Sequence, residues 1–186
     1  MLNKKVILVL FILIALVQLY VPAKMIMNRE SILASGNEYK FRTVSIDPSD
    51  PFRGKYIVLN YKENTAAVSN PKEWHNNENI FVLLSINTEG YAAVRGITKE
   101  KPGNTPFVKA NISYVNEGEK SVVIDYPFNR FYMEESKAYE AEKEYNRAQR
   151  DTSHVTYGLV NINDGEAVLK DVMIGGRSVR EIKTGN

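Results

Sequence analysis

Ile80-Phe81-Val82-Leu83-Leu84-Ser85-Ile86, Asn87-Thr88-Glu89-Gly90, Tyr91-Ala92-Ala93-Val94-Arg95-Gly96-Ile97: two runs rich in strand formers flank four turn residues. Glycine at the end of the turn supplies the positive φ that a reversal needs. The passage reads as an antiparallel hairpin, and the chain repeats the pattern on both sides. Upstream lie Tyr39–Val44 and Tyr56–Tyr61. Downstream lie Phe107–Tyr114, Ser121–Tyr126, Val155–Ile162, Glu166–Ile174 and Arg177–Ile182, divided by turns such as Asn163-Asp164-Gly165 and Gly175-Gly176. Short strands at this spacing predict a mainly β domain over 37–186, an antiparallel β sandwich or partly open barrel. One surface α-helix is inserted, from Met133 to about Arg150. There Ala138, Ala141, Tyr145 and Ala148 form a narrow apolar stripe among Glu, Lys and Arg.

The hairpin has an echo. Leu84, Gly90, Ala92, Val94 and Ile97 match Leu159, Gly165, Ala167, Leu169 and Val172 at a constant offset of 75 residues. Pro51-Phe52-Arg53 resembles Pro127-Phe128-Asn129-Arg130 at nearly the same offset. Similar turns look alike for local reasons, so either coincidence or a duplicated β unit accounts for the match.

The first 36 residues are of another kind. Val6 to Val21 carries no charge, and Lys4 and Lys5 precede it. A spanning helix needs about 20 apolar residues. Pro22, Ala23 and Met25-Ile26-Met27 extend the run into that range, with Lys24 able to snorkel and Tyr20 suited to an interface. The reading is a single N-terminal transmembrane helix over 1–27, followed by a short helical linker over 28–36. The basic pair holds the N-terminus in the cytoplasm and sends the C-terminal domain to the extracytoplasmic side. A cleaved secretory signal ending at Ala23 is the competing reading. The retained anchor is preferred because apolar character resumes after Lys24.

Charge and composition exclude several classes. The chain holds 24 Lys+Arg against 22 Asp+Glu, and Lys4 and Lys5 account for the excess, so the remainder is formally neutral. Nucleic acid is not an expected partner, since phosphate backbones call for clustered positive charge. Cysteine is absent, which excludes disulfides, thiolate catalysis and cysteine zinc sites. His75 and His154 stand alone, without metal-ligand spacing. No cofactor fingerprint is present, so no metal and no cofactor are expected.

The densest passage is Asp47-Pro48-Ser49-Asp50-Pro51-Phe52-Arg53-Gly54-Lys55-Tyr56-Ile57-Val58-Leu59-Asn60-Tyr61. Two Asp-Pro steps impose turns or extended backbone, and Gly54 leads into a strand. Both faces of Tyr56–Tyr61 hold apolar side chains, which predicts a central strand covered on each side.

Gly54-Lys55-Tyr56-x-x-Leu59-x-Tyr61 resembles the signature of the GDYXXLXY family, membrane-anchored bacterial proteins of unknown function. Lys55 stands where the family name has aspartate, so no role for that acid transfers. Asp47-Pro48-x-Asp50-Pro51-Phe52-Arg53 and the later Arg130-Phe131-Tyr132-Met133-Glu134-Glu135 also resemble the family layout. The resemblance implies a membrane-bound extracytoplasmic protein in the cell envelope, associated with a multi-pass membrane protein. It supplies no catalytic residues.

The candidate binding residues are Asp47, Asp50, Arg53, Tyr56, Tyr61, Arg130, Tyr132 and Glu134. Asp47 and Asp50 beside Arg53 suit either a locked turn or a carboxylate pair for cation or acid–base work. The preferred expectation is a non-enzymatic binding or scaffolding module in the envelope. The alternative is an anchored hydrolase using carboxylates near the Asp-Pro-Phe-Arg motif, with Arg53 or Arg130 steadying charge.

Overall fold

The computed structural model of the chain describes residues 3–44, 56–132, 145 and 155–181. Helix α1 runs without a break from Lys4 to Ser35, through Pro22 and through the boundary expected at residue 27. Asn3 caps its start by accepting the Lys5 N–H at 3.2 Å, closing one orphan donor. None of its residues is buried, and it is long and apolar enough to cross a membrane.

The helix stops where it meets the sheet. The Gly36 N–H donates to the Ile32 carbonyl at 2.8 Å. A Cβ at Gly36 would sit 2.5 Å from the Ile32 oxygen and 3.2 Å from the Ile162 backbone, so only glycine passes this crossing. Asn161, almost fully buried, donates to the Leu33 carbonyl at 2.9 Å and fastens the helix end.

Strand β1 (Asn37–Val44) follows at once. Then come β2 (Tyr56–Val58), β3 (Asn60–Tyr61), β4 (Thr65–Ala67), β5 (Asn79–Ile86) and β6 (Ala92–Thr98). The second half supplies β7 (Phe107–Asn116), β8 (Ser121–Asp125), β9 (Arg130–Tyr132), β10 (Thr156–Asn163), β11 (Glu166–Ile174) and β12 (Arg177–Ser178). Two five-stranded antiparallel sheets result, ordered β12-β11-β10-β1-β3 and β4-β8-β7-β5-β6, with a two-stranded ribbon β2-β9 between segments of each half. The chain is mainly β after one apolar helix, as the strand spacing predicts.

Each sheet joins a hairpin of one half to a strand of the other. Hairpin β5–β6 pairs with β7, and hairpin β10–β11 pairs with β1. The 75-residue echo falls on these two hairpins. Both carry a register shift, between Leu83 and Leu84 and between Leu159 and Val160. Gly90 and Gly165 sit at φ 83° and 81°. The turns themselves differ, since β5 and β6 are separated by residues 87–91 and β10 and β11 by Asp164-Gly165 alone. Turn chemistry alone therefore does not explain the echo; position in the fold is shared as well.

The core alternates along the strands, as a two-layer β domain requires. Phe41, Val82, Val108, Ile112, Val122, Val160 and Val172 are all fully covered. A parallel bridge between Val108 and Gly165 ties the tip of one hairpin to the opposite sheet, with the Lys109 N–H donating to the Gly165 carbonyl at 2.9 Å.

Two expectations change. Tyr56–Tyr61 is not one central strand but two pieces that part at Leu59, β2 pairing with β9 and β3 with the end of β1. β3 is an edge, and Asn60 faces solvent while Leu59 and Tyr61 are buried. Asn60 leaves that face with nothing apolar to bury, so one side only is covered. Arg177–Ile182 is likewise shorter as a strand, because the chain turns into a 3-10 turn at Val179–Glu181 that buries Val179. Of the helix expected over Met133–Arg150, Tyr145 alone is described; it is helical and buried, and the remainder lies outside the described residues.

Candidate functional site

The described ends of the two passages pair, while residues 47–55 and 133–135 lie outside the described residues. β2 and β9 pair antiparallel with Tyr56 opposite Tyr132, Ile57 opposite Phe131 and Val58 opposite Arg130. The Leu59 N–H donates to the Asn129 carbonyl at 2.8 Å, and the Tyr61 hydroxyl donates to the Phe128 carbonyl at 2.8 Å. Leu59 and Tyr61 are therefore tied to the Pro127-Phe128-Asn129-Arg130 passage by backbone as well as side chain.

Beneath the ribbon lies an aromatic cluster of Phe41, Tyr61, Tyr126 and Phe128, all buried. Phe41 meets Tyr61 and Tyr126 edge-on at 5.5 Å, and Tyr126 stacks on Phe128 at 5.0 Å. These spacings lie in the favourable range for ring quadrupoles. Burial, then the neighbouring Tyr145 and Tyr126, pushes the Tyr61 phenol far above its ordinary value. Burial and Glu63 do the same to Tyr126. Neither phenol exchanges a proton near neutral pH, so both act here as anchors. Removing the Tyr61 hydroxyl leaves the buried Phe128 carbonyl without that donor. A Tyr61→Phe variant is expected to lose about 1–3 kcal/mol of stability in urea unfolding.

A partly buried acid borders the cluster. Glu63 has a side chain 10% exposed, and its carbonyl accepts the Tyr126 hydroxyl at 2.7 Å. Its Oε1 lies 3.4 Å from Arg42 Nε, while Arg42 Nη1 reaches Glu89 at 2.7 Å and the guanidinium lies 5.0 Å from the Tyr91 ring centroid. Among the described residues, Glu63 Oε2 has no hydrogen-bond partner. Burial raises the carboxyl above its ordinary value, against smaller pulls from its own backbone amide and from Arg42. Between the ordinary value and the raised one, the folded chain holds a proton that the unfolded chain releases. This contribution is complete below the ordinary glutamate range and declines as pH rises through the raised value. Subtracting the stability profile of Glu63→Gln from that of the parent should give a difference that falls with pH across that window. A flat difference would show that the acid is not perturbed.

The model of the GDYXXLXY protein family matches residues 18–172, from within α1 to near the end of β11. The chain belongs to the GDYXXLXY family. No curated protein and no solved structure matches it.

In this member, the signature's Leu59 and Tyr61 serve packing. Tyr56 is placed by its backbone in β2, opposite Tyr132. Arg130 and Tyr132 are exposed on β9, whereas Tyr61 is interior. Asp47, Asp50, Arg53 and Glu134 lie outside the described residues. The GDYXXLXY signature gave no warning of Glu63, which sits in a polar Lys62-Glu63-Asn64 turn. Among the described residues no group of three His, Cys, Asp or Glu side chains is arranged to hold a metal. His75 is exposed and lies 3.7 Å from Glu78.

Proposed function

We propose that this chain is a membrane-anchored extracytoplasmic β domain that acts as a non-enzymatic binding or scaffolding module of the cell envelope. The observation that carries the reading is the architectural use of the signature: Leu59 and Tyr61 are core residues, and the Tyr61 hydroxyl is held by a backbone carbonyl. The uncovered apolar surface of α1 supports a place in the bilayer. Lys4 and Lys5 ahead of it support a cytoplasmic N-terminus. A cleft of about 700 Å³ between α1 and the sheets, bordered by Met25, Ile32, Phe81 and Ala110, offers room for a membrane partner near the bilayer surface. The partner class suggested by family membership is a multi-pass membrane protein.

Site-specific photo-crosslinking from Met25 and Ile32 in native membranes tests this. One discrete adduct with a multi-pass protein, lost when Phe81 is made charged, is the expected result. Recovery of the chain without any adduct under gentle solubilisation would contradict it.

A further inference from the structure

Arg42 of β1 sits between two carboxylates, one covered and one open. Inward lies Glu63, its side chain 10% exposed, with Oε1 3.4 Å from Arg42 Nε and Oε2 without a hydrogen-bond partner. Outward lies Glu89, its side chain 62% exposed, with Oε2 2.7 Å from Arg42 Nη1. A hydrogen bond between full charges ordinarily closes to about 2.7–2.9 Å. The inner contact is loose and the outer one tight, the pattern expected when Glu63 is neutral and Arg42 answers Glu89 alone.

Glu89 belongs to the turn between β5 and β6, whereas Arg42 belongs to the other sheet. The turn is a unit of its own, since Asn87 Oδ1 accepts the N–H of Glu89 at 3.0 Å and that of Tyr91 at 2.9 Å. Arg42 ties it across the seam twice, through Glu89 and through the Tyr91 ring, whose centroid lies 5.0 Å from the guanidinium. Tyr91 also meets Tyr157 of β10 edge-on at 5.7 Å, and the Lys40 ammonium lies 5.7 Å from the Tyr157 centroid. Besides Arg42, the groups facing Glu63 are Lys62, adjacent in the chain, and the phenol of Tyr126, just past β8. Arg42 is the one among them that also bonds the turn.

We propose that Arg42 is a proton-controlled latch: it holds the β5–β6 turn against the opposite sheet while Glu63 is neutral, and it swings inward and releases the turn when Glu63 ionises. A covered carboxylate without a counter-charge is far more costly than an open one, which water solvates. An exposed pair such as Arg42–Glu89 is weak and screened by salt, so the inner acid takes the shared cation once it carries charge. Burial keeps Glu63 neutral above the ordinary glutamate range, so release falls on the alkaline side of that range. The latch lies within the folded domain and needs neither membrane nor partner to work.

The chain has no native cysteine, so one spin label can be placed on Thr88→Cys in the turn and another on Arg177→Cys of the edge strand β12, both outside the latch. Double electron–electron resonance on the full chain in neutral detergent, from about pH 5 to about pH 8, reads the distance between turn and opposite sheet. The distance should lengthen and broaden along a single-proton titration. Glu63→Gln should hold the short distance at every pH, and Glu89→Gln should lose it at every pH. Coupling is reciprocal, so Glu89→Gln should also shift the Glu63 titration, followed by carboxyl-carbon NMR, to lower pH. A distance indifferent to pH, a pH response that survives Glu63→Gln, or a Glu63 titration unmoved by Glu89→Gln would overturn the latch.

Discussion

Phe41→Ala should lower the stability of the β domain by about 3–5 kcal/mol, the largest loss expected from any single side chain here. Phe41 is 0% exposed and touches Tyr61, Tyr126 and Phe128 together. Its removal opens a cavity whose walls are themselves rigid rings, so collapse around it is limited. The lost ring contacts add to the lost transfer energy. For a domain of this size the melting temperature should fall by roughly 10–15 °C. Phe41→Leu, which fills most of the volume, should lose about 2 kcal/mol or less. Circular dichroism melts of both variants in detergent decide the matter. Equal melting points for Phe41→Ala and the parent would remove the aromatic cluster from its place at the centre of the fold.

Gly165→Val should be almost as costly, by a different route. Gly165 holds φ +81°, and an added Cβ would lie 2.3 Å from Phe107 Cε2 and 2.9 Å from its Cδ2. The backbone conformation costs a non-glycine residue about 1–2 kcal/mol, and overpacking against a buried ring about 1–3 more. Phe107 is buried at 7% exposure and braced edge-on by Phe81 at 5.4 Å, so it has little room to retreat. The hairpin tip must then lift, breaking the bridge to Val108. Amide exchange should report this locally, with protection at the Lys109 N–H falling before the β5–β6 hairpin loosens. Gly90→Val is the control: it has the same sign of φ but no atom within 4 Å of the new Cβ, so it should incur the backbone cost alone. Equal losses in the two variants would mean that contact with Phe107 is unimportant.

The hairpins were legible because their signals are local. β5 and β6 follow from alternation around a glycine turn, and β10 and β11 from the same pattern. Helix α1 was legible because an unbroken apolar run such as Val6–Val21 is itself a local signal, long enough with its extension to span a bilayer. What could not be read depends on partners far away in sequence. The break at Leu59 exists because β9 claims β2 while β1 claims β3, and neither partner is visible within Tyr56–Tyr61. β9 itself is only three residues long and reads, in isolation, as the approach to a helix. Glu63 looks solvated in Lys62-Glu63-Asn64, yet the aromatic cluster and Arg42 cover it. Of the eight candidate binding residues, Asp47, Asp50, Arg53 and Glu134 lie outside the described residues; Tyr56 pairs by backbone with Tyr132, Tyr61 is interior, and Arg130 and Tyr132 are exposed.

The account depends on α1 placing the β domain on the far side of a membrane from the N-terminus, and the absence of native cysteine makes this directly measurable. Single cysteines at Asn3, ahead of α1, and at Glu117, in the exposed turn between β7 and β8, can each be offered a membrane-impermeant maleimide on intact spheroplasts. Glu117→Cys should label at once, and Asn3→Cys only after lysis. Labelling of Asn3→Cys alone, or of neither until the membrane is opened, would contradict the account.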